Sequence, residues 1–159
     1  MTQQNQNKVF NPVPYFIACF ITMVLFDIFM TNLILDNMYM GSHFRFFEIV
    51  YVKNTGAAFS SFQHLTVGLI IIAILAVIWI LYELFRDLKK YTLPLYFVSA
   101  MLISGIVCNT YERITLGYVR DFINLKHIDF PIFNISDVLI NVAVLAIIIL
   151  VITKKYKRS

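Results

Sequence analysis

Two aspartates, Asp121 and Asp137, are the residues of this 159-residue chain best suited to do chemistry. Asp121 follows Gly117-Tyr118-Val119-Arg120, and Asp137 follows Phe130-Pro131-Ile132-Phe133-Asn134-Ile135-Ser136. Two carboxyls brought close together share a proton, so that one stays protonated while the other ionises. Such a pair can activate a water molecule and protonate a leaving amine, which hydrolyses a peptide bond without a metal or a covalent intermediate. Each aspartate also has a plainer reading. Asp137, with Asn134 and Ser136, suits the N-terminus of a helix, and Asp121 suits a surface pair with Arg120. Spacing alone leaves both readings open.

Three more polar positions stand out. Asn109 and Arg113 are four residues apart with Glu112 between them, so on a continuous helix Asn109 and Arg113 share a face. The plain reading of Arg113 is a salt bridge to a neighbouring acid. Asp27 interrupts an apolar stretch, where an ionisable group costs roughly 2.5–3.5 kcal/mol on insertion scales and calls for a reason. Capping or anchoring the outer end of that stretch is one such reason, and function is another. Other chemistries find little support. His43, His64 and His127 are scattered, no HExxH or Cys/His cluster suggests a metal, and Cys19 and Cys108 read as small packing groups. No GxSxG elbow or SxxK pair is present, and five glycines leave little material for a phosphate loop. The expectation is therefore no metal, no cofactor and no nucleic acid.

The elements that must position these residues follow from composition. The chain is 60% hydrophobic and only 14% charged, with a mean hydropathy of +0.77. A soluble domain is nearer 25% charged, and a bilayer span takes roughly 20 apolar residues. Apolar runs predict spans at 14–35, 66–85, 91–108 and 135–153, separated by outer segments 36–65 and 109–134. We therefore expect residues 1–159 to form one integral membrane domain, an all-α four-transmembrane-helix bundle. Phe44 to Val52, rich in aromatic and β-branched residues, predicts strand, and Asn54-Thr55-Gly56 a turn. These together predict a small extracytoplasmic β-sheet whose aromatics either belt the interface or touch substrate. The first span is too long for a signal-peptide core, lacks a small-residue cleavage site, and reads as retained.

Lys and Arg set the orientation. Lys8, Arg86, Lys89, Lys90, Lys154, Lys155, Lys157 and Arg158 collect at one set of ends, while Arg45, Lys53, Arg113, Arg120 and Lys126 lie opposite. Of the nine acids, all but Glu83 and Asp87 lie on or towards the second side. Both termini are then expected in the cytoplasm, with the polar chemistry near the outer face.

Taken together, four segments resemble the lipoprotein signal peptidases, the signal peptidase II family of bacterial inner membranes. Asn54-Thr55-Gly56-Ala57-Ala58-Phe59 is similar to the family's NTGAAF signature, and Cys108-Asn109-Thr110-Tyr111-Glu112-Arg113 to GNxxDR. Gly117-Tyr118-Val119-Arg120-Asp121-Phe122 resembles GxVxDF, and Phe130 to Asp137 resembles FPxFNxAD. Order and spacing agree from Asp27 to about Ala143. The resemblance implies a membrane-embedded aspartic endopeptidase that cuts a diacylglyceryl-modified prolipoprotein just before its lipidated cysteine. It implies Asp121 and Asp137 as the catalytic pair, and Asn54, Asn109, Arg113 and Asn134 as residues supporting the pair or holding substrate backbone. Asp27 matches the acid of the first-span motif. The implied partners are lipid-modified prolipoproteins and membrane lipid, and the site is complete in a monomer.

Five positions depart from the family pattern. Ile28 and Thr31 stand where the first-span DQxxK motif has glutamine and lysine, Cys108 where GNxxDR begins with glycine, Glu112 for its aspartate, and Ser136 for the alanine before the second aspartate. These departures keep open a rival: a relative that binds lipidated precursors without cutting them. A channel or transporter subunit fits less well, because the second span is nearly free of polar residues.

Overall fold

The computed structural model describes residues 11–36, 39, 41–56 and 66–157. Ala57, Ala58 and Phe59 of the NTGAAF-like segment lie outside the described residues, as do Lys8 and Arg158 of the topology argument. Four helices dominate: α1 (Val13–Leu35), α2 (Thr66–Phe85), α3 (Leu93–Leu116) and α4 (Ile135–Ile152). Each is at least 18 residues long and apolar enough to cross a bilayer. At about 1.5 Å per residue they measure roughly 27–36 Å, against a hydrocarbon core of about 30 Å. Two strands, β1 (Phe47–Asn54) and β2 (Val119–Leu125), pair antiparallel.

Helices α1, α2 and α4 bury little of their apolar surface within the protein, whereas half of α3 is buried. Leu25, Phe29, Val67, Ile72, Trp79 and Ile152 all point outward and are more than half exposed, while Asp27, Ser99, Ser104 and Asn109 are buried. Apolar outside and polar inside is the arrangement that lipid rewards, because the bundle's own polar groups have no water to turn to. The chain is a multi-pass membrane protein.

Helix α3 is the hub, packed against α1, α2 and α4. Its approach to α4 is set by Gly105: a Cβ there would lie 2.6 Å from the carbonyl oxygen of Ser136 and 2.8 Å from Ile140 Cγ1. No side chain fits, and small residues at such crossings let membrane helices meet backbone to backbone. At the basic end, Phe16, Leu84, Tyr96 and Ile103 form an apolar cluster. The Tyr96 hydroxyl there donates to the Leu84 carbonyl at 3.2 Å, tying α3 to the end of α2. At the other end, Ile34, Ile49 and Phe122 pack the sheet onto α1.

Two sequence expectations are corrected here. The third span does not stop at 108; α3 continues to Leu116, so Asn109, Glu112 and Arg113 stand on a helix rather than in an outer segment. What ends it is Gly117, at φ +81°, whose N–H returns to the Arg113 carbonyl at 3.2 Å. Only glycine adopts that left-handed backbone without strain. The second correction concerns the outer segment 109–134, where no strand was expected and Val119–Leu125 forms β2. It supplies the partner that β1 needs, in the register Val52↔Asp121, Lys53↔Arg120 and Asn54↔Val119.

Candidate active site

Asp121 is carried by β2. Strand side chains alternate between faces, so Phe122 turns into the apolar cluster with Ile34 and Ile49, while Asp121 turns the other way. There it is 2% exposed. Its Oδ2 accepts from Asn54 Nδ2 at 2.9 Å and its Oδ1 from Asn134 Nδ2 at 3.1 Å. Asn54 closes β1, and its own Oδ1 accepts the Gly56 N–H at 3.0 Å, so the expected turn holds the Asn54 amide in place.

Asn134 is delivered by backbone pairing. The N–H groups of Phe122 and Ile123 both donate to the Phe133 carbonyl, at 3.1 and 2.9 Å, and the Phe133 N–H returns to the Ile123 carbonyl at 3.2 Å. The chain entering α4 is thereby laid along β2, one residue before the helix cap. Asn134 is that cap. Its Oδ1 accepts the Asp137 N–H at 2.9 Å, and Asp137 Oδ2 accepts the Asn134 N–H at 3.3 Å. This reciprocal pair is a capping box. The plain reading of Asp137 as a capping residue thus holds in part, with Asn134 at the cap itself and Asp137 three residues in.

One oxygen of Asp137 remains for the site: Oδ1 accepts from Asn109 Nδ2 at 2.8 Å. Asn109 Oδ1 in turn accepts from Asn134 Nδ2 at 2.9 Å. The two carboxyls are therefore joined through two amides, Asn109 and Asn134, supplied by α3 and by the cap of α4. Asn54 completes the support from β1.

Arg113, one turn beyond Asn109, makes no salt bridge within 4 Å among the described residues, contrary to its plain reading. Its Nη1 donates to the Asn109 carbonyl and its Nη2 to the Gly56 carbonyl, each at 3.2 Å. Its Nε is buried without a hydrogen-bond partner among the described residues, an unmet donor of the kind native sites keep sparingly. The surface pair of Asp121 with Arg120 is not formed either; Arg120 turns to Glu112, with Nη2 2.6 Å from Oε1.

Asp27 stands apart from this constellation. It is buried on α1, and Ser136 Oγ donates to its Oδ2 at 2.6 Å. Cys108 also lies against its carboxyl. Two of the residues that depart from the family pattern thus meet the same carboxyl; Cys108 precedes Asn109, one of the linking amides, and Ser136 precedes Asp137. Neither contact had a signal in the sequence, because both join residues more than 80 positions from Asp27 or across different spans.

Asp121 and Asp137 line a cavity of about 640 Å³ with Lys53, Asn54, Gly56 and Arg113. It is walled on one side by Phe130 to Phe133, apolar residues that suit a peptide segment. Burial pushes the Asp121 carboxyl up to about 7, with the Asp137 charge adding to the rise and the Asn54 and Arg113 contacts opposing it. A carboxyl in that range holds or releases a proton near neutrality, which general acid–base work requires. Among the described residues no group of three or more His, Cys, Asp or Glu has the arrangement to hold a metal.

Comparison with known proteins gives a consistent set of likenesses. The family model described as signal peptidase (SPase) II matches residues 19–153. A lipoprotein signal peptidase of Dehalococcoides mccartyi is 40% identical over 114 residues, 70% of each chain. One from Lactococcus lactis subsp. lactis is 31% identical over 140 residues, 83% of this chain and 89% of its own. Two bacterial membrane enzymes solved by the in meso method superpose with TM-scores of 0.77 and 0.75. They are 29% and 30% identical, cover 89% and 87% of this chain, and are themselves covered over 89% and 93%.

Proposed function

The chain belongs to the signal peptidase II family, and from that premise we propose that Asp121 and Asp137 are its catalytic pair. The protein is a peptidase that removes the signal peptide from prolipoproteins. The reading of it as an aspartic endopeptidase rests on one observation: two carboxyls from different elements meet on the same amide pair, Asn109 and Asn134, at the rim of one cavity.

In this reading the pair carries a single proton. The ionised carboxylate takes a proton from water as that water adds to the scissile carbonyl. The protonated partner hydrogen-bonds to the carbonyl oxygen and stabilises the developing charge. Collapse of the tetrahedral diol breaks the C–N bond, and a carboxyl returns its proton to the leaving amine. The three asparagines keep both carboxyls aimed without adding charge. Arg113 brings one positive charge to the cavity, offsetting the net charge of the pair.

The substrate is a prolipoprotein carrying a diacylglyceryl cysteine, cut on the N-terminal side of that residue. Such a substrate arrives laterally through the bilayer, which suits a site at the end of α3 and α4 where sheet and membrane helices meet. We place that end at the outer face, with both termini in the cytoplasm, on the distribution of Lys and Arg. The enzyme acts as a monomer, because the constellation draws on one chain, and it needs no metal or organic cofactor.

The test is cleavage of a diacylglyceryl-modified prolipoprotein by the purified protein in detergent, followed as a mobility shift. Wild type cleaves; Asp121→Asn and Asp137→Asn, with folding verified by thermal unfolding, do not. Full activity in either folded variant overturns the assignment. A folded wild type that binds precursor without cutting it supports the binding relative instead.

A further inference from the structure

Glu112 and Arg120 lie eight residues apart, on either side of the Gly117 turn. Neither belongs to the carboxyl pair or to its amide support. Their contact is nevertheless the densest polar contact between α3 and β2. Glu112 Oε2 accepts the backbone N–H of Arg120 at 2.7 Å, and Oε1 accepts Nε at 2.8 Å with Nη2 at 2.6 Å. The side chains are only 13% and 27% exposed, so the pair is sheltered, and charge-assisted bonds of this kind are about twice as strong as neutral ones.

The guanidinium orients the Glu112 carboxylate for the backbone half of the contact. That half grips the N–H of the residue immediately before Asp121. A two-stranded sheet is marginal by itself, and the β1–β2 ladder is irregular between Ile49 and Val52. The sheet therefore does not fix the height of Asp121 over the helices unaided. Glu112 does so from α3, one turn beyond Asn109 on the helix that also holds the Asp137 carboxyl.

We propose that Glu112 and Arg120 form a positioning clamp that holds Asp121 in register against α3, while the Arg120 guanidinium cancels a third carboxylate beside the catalytic pair. This rests on the assignment of Asp121 and Asp137 above. The charged groups around Asp121 are Asp137 from α4, Glu112 and Arg113 from α3, Lys53 from β1, Arg120 on its own strand, and Asp129 in the following loop. Within that set Glu112 and Arg120 are the two that neutralise each other by direct contact, so removing one exposes the other.

The consequence is a signed pair of effects. Arg120→Gln leaves Glu112 unpaired, adds negative potential at the catalytic pair and moves the acid limb of kcat/KM to higher pH. Glu112→Gln leaves Arg120 unpaired and moves that limb to lower pH. Each shift is expected to reach about half a pH unit or more. The double variant Glu112→Gln/Arg120→Gln restores the limb to its wild-type place. Arg120→Lys keeps the charge but cannot fork, so it holds the limb and lowers kcat. Both single variants lower kcat about tenfold or more with KM within about twofold, since misplacement of a reacting group acts on the transition state.

The experiment measures kcat, KM and pH profiles for these four variants, wild type and Asp121→Asn, on a lipid-modified precursor in detergent. Opposite limb shifts that cancel in the double variant establish the clamp. Unshifted limbs, or shifts in one direction, with Asp121→Asn inactive, overturn it and leave the catalytic assignment standing. Cleavage by Asp121→Asn overturns that assignment and the clamp with it. Should a single variant fail to fold, Arg120→Lys and the double variant decide: wild-type kcat in Arg120→Lys, or a displaced limb in the double, overturns the clamp.

Discussion

Replacing Asp121 by asparagine is expected to abolish cleavage and, above neutral pH, to stabilise the protein. The reasoning starts from the two amide donors, Asn54 at 2.9 Å and Asn134 at 3.1 Å, that face the carboxyl. An asparagine side chain has nearly the shape of a protonated carboxyl, and it too presents one good acceptor to those donors. At low pH the two proteins should therefore differ by no more than about one hydrogen bond, about 1 kcal/mol. As pH rises they part. Burial holds the native Asp121 carboxyl up to about 7, whereas an unfolded chain releases that proton near 3.9. Between those values the native state retains a proton that the unfolded state has lost, so wild-type stability falls with pH and levels off above about 7. From pH 4.5 to pH 8 the loss is about 2.5 pH units of linkage, or about 3 kcal/mol. Because neighbouring carboxyls titrate together, that slope belongs to the pair. The variant lacks Asp121's share of it. Unfolding of both proteins in one detergent at pH 4.5 and pH 8 measures the difference. At about 2–4 °C per kcal/mol the gap in Tm should move by about 6–12 °C in favour of the asparagine variant. Parallel pH profiles, with the variant less stable throughout, refute the claim that ionising Asp121 works against the fold.

Other substitutions test the scaffold around the pair. Gly105→Val drives side-chain carbons into the Ser136 carbonyl and Ile140, so it should part α3 from α4, cost at least about 1–3 kcal/mol, and lower cleavage and Tm together. Ser136→Ala removes the 2.6 Å donor from a buried carboxyl and should cost about 1–3 kcal/mol in Tm-derived stability. Adding Thr31→Lys, one helical turn from Asp27, should recover most of that loss; no recovery would show that position 31 does not reach Asp27. Asn109→Ala deprives Asp137 and Asn134 of a shared partner, and should lower kcat by at least about tenfold while leaving precursor binding, measured by pull-down, unchanged.

The membrane helices are legible in the sequence because lipid demands long apolar runs, and residues 66–82 form one with no charged residue. The end of α3 is not legible that way. Asn109 to Leu116 continue as helix past the apolar stretch, and only the left-handed backbone at Gly117 stops them. Strand β2 was hidden for a related reason. Its buried positions are Val119, Asp121, which is held by amides, and Phe122, which packs on the apolar cluster, so apolar alternation is broken at the very residue of interest. At the site, the motifs singled out the two aspartates and the asparagines, and Asn134 was among the residues suited to a helix N-terminus, but spacing could not reveal that its amide would also reach the other element's carboxyl. The partners of Asp27 were invisible as well, since they stand on spans distant in sequence, and that of Glu112, eight residues on, depends on the turn at Gly117.

Gly105 has a bearing on how the site is held. With no gap to spare between α3 and α4, the helices that carry Asn109 and Asp137 have no slack along their seam. Asp121 and Asn54 belong to a different body, the two-stranded sheet, joined to those helices chiefly by polar contacts and the small cluster at Ile34, Ile49 and Phe122. The separation of Asn109 and Asp137 is thus set by the helix seam, and the placement of Asp121 over them by the sheet and its backbone tie to Phe133.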